Sequence, residues 1–478
     1  MDISKSKYET YIESNIVTRY LNRFVNSYLF IFIIGLLVLL SSCFAIEVIC
    51  FPIIALLGFI ALLVSKDTKA LIPIVLTFLM GMSYKNGLSY NPNPDIPNIY
   101  DNKAIGIFFL SLMILVIIGG IINQFLFKQY KNSWKRTLLV LPGIICLSIG
   151  YLLSGITTQD YLKNFIYTLS NVAMILAIFI FFSQTSFSDK DKKTSKYISI
   201  VMLMSALLIG LEVIHIYLTK DIIVDGTINK WAIENGWGIH NNFSGYLVIS
   251  FPFVLYLLLT EDKHLKYYLF LLLIVIFNVL TLSRNGLLLM LIEIITGLVL
   301  ICIYKKKDRR ILLPIVVIVS IISIILIVTY KNEIYKLFKV ILDLGTSLNG
   351  RDSLFKQAIE AFIRNPIFGD GWFFIQSNAP APSSFAPNYK VHNILLQLLG
   401  STGVIGLIGF ILFTTNISVV TFKNINKDKL LFFMGIITLM LISIFDNFFF
   451  DYGFERYLAI FLVGIAGCDD INKIALND

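Results

Sequence analysis

The chain has 478 residues, of which 57% are hydrophobic and 14% charged, roughly half the charge of an ordinary soluble domain. No soluble fold hides that much apolar surface. The formal net charge of +9 does not point to nucleic acid, because Lys and Arg sit in short clusters between apolar runs rather than along one helix face or in a basic tail.

The first 26 residues are polar and carry Lys5, Lys7, Arg19 and Arg23, too long and mixed for the start of a signal peptide, so the first apolar run is read as an uncleaved anchor. Leu40-Ser41-Ser42-Cys43 has the form of a lipoprotein cleavage box but lies far from Met1, and is read as a chance match. Apolar runs then recur at about 27–46, 47–65, 69–84, 104–127, 136–156, 161–183, 197–218, 243–260, 266–282, 285–304, 311–330, 393–421, 430–447 and 453–467. Nearly all are long enough to cross a hydrocarbon core of about 30 Å as helices. The first two abut and the last is short, so 12 to 14 spans are expected. Lipid offers no partner for unpaired backbone groups, which leaves an all-α bundle as the expected fold. With a cytoplasmic N-terminus, the basic clusters KQYKNSWKR, SDKDKKTSK, KKKDRR and KNINKDK all fall inside, as the positive-inside rule requires.

Residues 331–392 form one long connection on the outside, dividing the chain into N-terminal spans (1–330), the loop, and C-terminal spans (393–478). NEIYKLFKVILDLG in this loop has the spacing of an interfacial helix. RDSLFKQAIEAFIRN repeats an apolar face through Leu354, Ala358, Ala361 and Phe362 until Pro366 ends it. The five cysteines form no C-x-x-C pair and have no His at ligand spacing, so they are read as packing residues. Only Cys43 and Cys50 are near enough in sequence to consider a disulfide.

Three residues on the outer side can carry chemistry. Arg284, in LTLSRNG at the end of two apolar runs, is either an arginine snorkelling to the headgroups or a guanidinium fork that grips phosphate. Arg351 opens a predicted helix, whose positive end favours anions. It is otherwise a solvated loop arginine. His392, just before the next span in Lys390-Val391-His392-Asn393, can accept a proton near neutral pH or serve structure only. Trp372, Phe373, Phe374 and Phe385 can stack on sugar faces or pack at the membrane interface. Asp446, Asp451 and Glu455 in FDNFFFDYGFER can touch acceptor hydroxyls, pair with Arg456 or form a polar turn. His240 in GIHNNFSG stands at a helix start, where Asn241 and Asn242 can cap. Asp189-x-Asp191 has a metal-binding form, but it is buried in a lysine-rich cytoplasmic run and is set aside. Gly400, Gly403, Gly406 and Gly409 recur at every third position and would let a helix approach closely.

The order of GIHNNFSGYL, LSRNG, NGRDSLFKQAIEAFIRNPIFGDGW and VHNILLQLLGSTGVIGL resembles the bacterial O-antigen ligase and Wzy-type polysaccharide polymerase family over roughly residues 235–410. The resemblance implies a glycosyltransferase C-type helical fold in the bacterial cytoplasmic membrane. It implies inverting transfer of a glycan from an undecaprenyl diphosphate carrier to an acceptor hydroxyl without a metal or other cofactor. Its partners would be that donor, a glycan acceptor, membrane lipids and a chain-length regulator, with no nucleic acid. Carried over by motif, Arg284 and Arg351 bind the diphosphate, His392 orients or deprotonates the acceptor, and Trp372, Asn393 and Asp446 contact substrate. Joining repeat units into a polymer is the leading expectation, and ligation of finished glycan to lipid A core or to protein is the alternative. A flippase should carry charge within its spans, whereas here Glu212, Glu293 and Lys163 are the main such charges.

Overall fold

The computed structural model describes residues 7–65, 68–83, 118–120, 130–183, 193–224, 227–235, 238–305, 351–375, 390–423, 425–446 and 452–468, with a few single positions besides. Within them the chain is almost wholly helical. The helices are α1 (Lys7–Ser14), α2 (Ile16–Val25), α3 (Tyr28–Phe44), α4 (Glu47–Val64), α5 (Ile72–Thr77), α6 (Tyr130–Leu152), α7 (Tyr161–Phe182), α8 (Lys193–Thr219), α9 (His240–Thr260), α10 (Leu265–Leu280), α11 (Arg284–Tyr304), α12 (Arg351–Arg364), α13 (Ile394–Lys423), α14 (Lys427–Phe445) and α15 (Tyr452–Gly467). Two antiparallel ribbons, β1 (Ile223–Val224) with β2 (Thr227–Ile228) and β3 (Glu234–Asn235) with β4 (Gly238–Ile239), link α8 to α9.

Among the described residues seven helices are long and apolar enough to cross a membrane, and α2 with α3, bent by 64°, makes an eighth if counted as one span. The chain is an all-α, multi-pass integral membrane protein. The expected spans at 104–127 and 311–330 lie wholly or largely outside the described residues. So do the interfacial helix expected near 332–345, Asp189-x-Asp191, Phe385 and Asp451. None of the five cysteines is in a disulfide.

Helix α9 is the hub, buried along almost its whole length and contacted by α8, α10, α11 and α14. The peripheral α11 instead exposes Leu288, Leu291, Ile292, Ile295, Val299 and Ile303, a stripe at helical spacing suited to lipid. The charges inside spans are partnered. Glu212 accepts from Asn235, Thr438 donates to Glu293, and Lys163 Nζ stands 4.0 Å over the Phe373 ring.

Helix α13 is broken at Gly403, whose φ of 61° and ψ of −156° belong to glycine alone. The break frees backbone groups that the 366–371 turn takes up. Val404 and Ile405 N–H donate to the carbonyls of Pro366 and Ile367, while Asp370 and Gly371 N–H donate to those of Gly400 and Ser401. A Cβ on Gly369, itself at φ 66°, would lie 2.4 Å from the Ser401 carbonyl carbon. The Gly369-Asp370-Gly371 motif is thus a docking turn, and the Arg364 guanidinium holds the Asp370 carboxylate at 2.6 Å.

Candidate functional site

Helix α14 ends at Phe445, and the last carbonyls of any helix lack partners inside it. Side chains from the starts of three other helices take them up. Asn393 donates to the Ile444 carbonyl (3.1 Å), while Asn285 (3.2 Å) and Arg351 Nη1 (2.9 Å) both donate to that of Phe445. The next residue, Asp446, is 7% exposed. One of its oxygens meets His392 Nδ1 at 2.5 Å, and the other accepts from Asn241 Nδ2 at 2.8 Å. Asn241 Oδ1 in turn accepts from the Ser283 hydroxyl at 2.8 Å, and Ser283 Oγ caps α11 by accepting the Gly286 N–H. The starts of α9, α11, α12 and α13 therefore converge on Ile444–Asp446.

Local sequence explains each placement. Ser283 and Asn393 are side-chain caps, so α11 begins at Arg284 and α13 at Ile394, with His392 in a bend just outside. Helix α12 starts at Arg351 and buries Ala358 and Ala361, the face expected from the sequence. Several helix starts present partial positive charge to one place, and this favours an anion there.

The side-chain charges point the same way. Burial lowers the pKa of the Lys230 ammonium, and the guanidinium charges of Arg284 and Arg351 lower it further. Burial alone would raise the Asp446 carboxyl. The charge and hydrogen bond of His392, the charge of Arg351 and the Asn241 amide outweigh it, and hold the group below its ordinary value of 3.8. Beside these groups, between α9, α11 and α14, lies a narrow cleft of about 10 Å³ lined by Asn241, Ser283, Asn285 and Asp446 and by the apolar Val248, Leu289 and Ile442.

The structure thus brings together Arg284, Arg351, His392, Asn393 and Asp446, but not Trp372. That indole is 1% exposed, wedged between Tyr151 and Tyr167, with its backbone N–H donated to Asn164. It packs the docking turn and does not offer a face to a sugar. Nor does Asp446 pair with Arg456, whose donors go to the carbonyls of Gly453 and Val75. Asn241 reaches across the site, and only Asn242 takes the expected capping role, accepting the Ile239 N–H. Lys230, Ser283 and Asn285 were not anticipated as site residues. Ser283 and Asn285 flank Arg284 in the same motif, whereas Lys230 looks in sequence like one more interfacial lysine.

Residues 268–411 match the family model Wzy_C, described as O-antigen ligase. The matched stretch contains Arg284, Arg351 and His392, while Lys230, Asn241 and Asp446 lie beyond its ends. No curated protein matches the chain. Most of the cationic site at the ends of the apolar helices thus falls within the stretch that is similar to the O-antigen ligase model.

Proposed function

We propose that this protein is a glycosyltransferase that moves a glycan from undecaprenyl diphosphate to an acceptor hydroxyl on the outer face of the bacterial cytoplasmic membrane. The convergence of Arg351 and the His392–Asp446 pair on the end of α14 carries this reading. With the Asp446 carboxylate accepting from Nδ1–H, the His392 tautomer leaves Nε2 with its lone pair, ready to take a proton. The acceptor oxygen attacks the anomeric carbon, its proton passes to Nε2, and the bond from that carbon to the diphosphate oxygen breaks with its electron pair leaving on the diphosphate. Attack opposite the leaving group inverts the anomeric centre. Arg284 and Arg351 offset the charge that grows on the leaving oxygen, the task of electrostatic stabilisation in a preformed site. These cations supply what a metal ion supplies elsewhere, so the transfer proceeds in the presence of EDTA. A glycosyltransferase C-type arrangement and a chain-length regulator as partner are consistent with this chemistry.

Joining repeat units into a surface polysaccharide of the O-antigen, capsule or teichuronic kind is the activity we infer. Ligation of finished glycan is the second reading, favoured by the description of the matching family. The decisive measurement is donor affinity and transfer rate in nanodiscs. His392→Ala should bind donor normally and turn over more slowly by a factor of about 10² or more. Arg284→Lys and Arg351→Lys should fail nearly as badly as the alanine variants, because a point charge lacks the planar fork. Full activity in His392→Ala would overturn the assignment. Glycan profiling of a deletion strain separates the two readings: single unpolymerised repeats mean polymerase, and intact polymer stranded on its carrier means ligase.

A further inference from the structure

Trp231 is 54% exposed, yet it is held from several sides. It sits in the 3-10 turn Lys230–Ala232 between the two β ribbons. Asn229 Oδ1 accepts the Trp231 N–H at 3.2 Å, and the Asn229 N–H donates to Ile222 O at 2.8 Å. Lys220 Nζ donates to the carbonyls of Ala232 and Glu234 at 3.1 and 3.3 Å, which pins the far side of the turn. The indole meets the His240 ring edge-on at 5.1 Å, and Lys230 Nζ stands 5.4 Å from the indole centroid. His240 is itself 2% exposed, and its Nδ1 has no hydrogen-bond partner among the described residues. The neighbouring Asn241 is the residue that bonds Asp446. The turn therefore adjoins the charged cluster through His240 and presents a braced, open aromatic surface beside it.

Charge and connectivity say what would fit. The charges of Arg284 and Arg351 act on the Lys230 ammonium, and the charge of Arg351 also acts on Asp446, whose oxygens bind His392 and Asn241. A diphosphate diester, with its negative charge spread over two phosphates, suits such a group of cations. In a lipid-linked glycan the first sugar is bonded directly to that diphosphate, and the Lys230 ammonium and the Trp231 indole stand side by side, 5.4 Å apart. An aromatic face suits the apolar face of a pyranose ring. We propose that the Lys230–Ala232 turn is the subsite for the donor's first sugar, with the Lys230 ammonium joining the two arginines on the diphosphate and the Trp231 indole stacking on the pyranose bonded to it. This rests on the glycosyl-transfer reading given above.

The test uses the full chain in nanodiscs and two probes, undecaprenyl diphosphate and undecaprenyl diphosphate-N-acetylglucosamine. Lys230→Gln should weaken both by about tenfold or more, with Lys230→Arg recovering most of the loss. Trp231→Ala should weaken the sugar-bearing probe by about threefold to tenfold and leave the bare carrier unchanged. The sugar-bearing probe should also change the intrinsic tryptophan fluorescence of the wild type, and Trp231→Phe should abolish that change while keeping much of the affinity. Wild-type affinity of Lys230→Gln and Trp231→Ala for both probes overturns the subsite. Equal weakening of both probes in Trp231→Ala also overturns it, and makes the indole an interfacial anchor. If the wild type binds undecaprenyl diphosphate no better than undecaprenol, the glycosyl-transfer reading itself fails.

Discussion

A single carboxylate organises the chemistry at the residue scale. Asp446 fixes the His392 ring through one oxygen and the Asn241–Ser283 pair through the other. Because its folded pKa is depressed, the stabilisation it provides is present above its ordinary value of 3.8 and is lost only as pH falls through the lower folded value. Transfer should therefore show no limb from this carboxyl between about pH 5 and 8. Asp446→Asn keeps the shape but removes the charge and the tautomer preference, and should lower turnover by about 10² or more with donor affinity little changed. A pH–rate profile of the variant with wild-type turnover would return Asp446 to a helix-capping role. In sequence, Arg284, Arg351 and His392 were legible because a charge next to an apolar run is costly enough to need a reason. The partnership of Asp446 with His392 was not, since 54 residues separate them and either could have served its own turn. Lys230 was hidden more deeply: its meaning comes from arginines that are remote in the chain.

Elements hold this arrangement through the broken helix α13. The stretch before the break carries Gln397, whose Oε1 accepts the Val391 N–H at 2.7 Å while its Nε2 donates to Ser401 Oγ at 2.6 Å. Displacement at Ser401 is thereby passed to Val391 and on to His392. Gly369→Ala introduces a Cβ into the Ser401 backbone at a positive φ, and strain of this kind costs on the order of 1–3 kcal/mol. The variant should melt several degrees lower in detergent and lose turnover more than donor affinity. An unchanged melting temperature would mean that the turn and the break are not coupled. The close approaches expected from the glycine series do occur, since Gly406 lies against Gly150 and Gly409 against the Cys146 carbonyl. The break at Gly403 was not legible, because a glycine at every third position also suits an unbroken helix. The helix at 351–364 was legible, carrying its own apolar face and stop signal.

At the scale of the whole molecule, the distribution of charge along the helices sets orientation. The site lies where α9, α11 and α13 begin and where α14 ends. The basic residues Lys196, Lys263, Lys266, Lys305, Lys423 and Lys427 lie at the opposite ends of the helices that reach it, where Lys196 pairs with Glu261 at 2.5 Å. Membrane proteins retain such clusters on the cytoplasmic side, which would turn the site outward, toward lipid-linked glycans already carried across. Asn229 and Lys263 are both exposed and lie beyond opposite ends of α9, a helix of 21 residues and hence about 30 Å long. In a cysteine-free background, Asn229→Cys should react with an impermeant thiol reagent in intact cells, whereas Lys263→Cys should react only after lysis. The reverse pattern would put the arginines and His392 in the cytoplasm, where a donor displayed on the outer leaflet could not reach them. It would remove the basis for the proposed transfer even if every residue-level substitution behaved as expected.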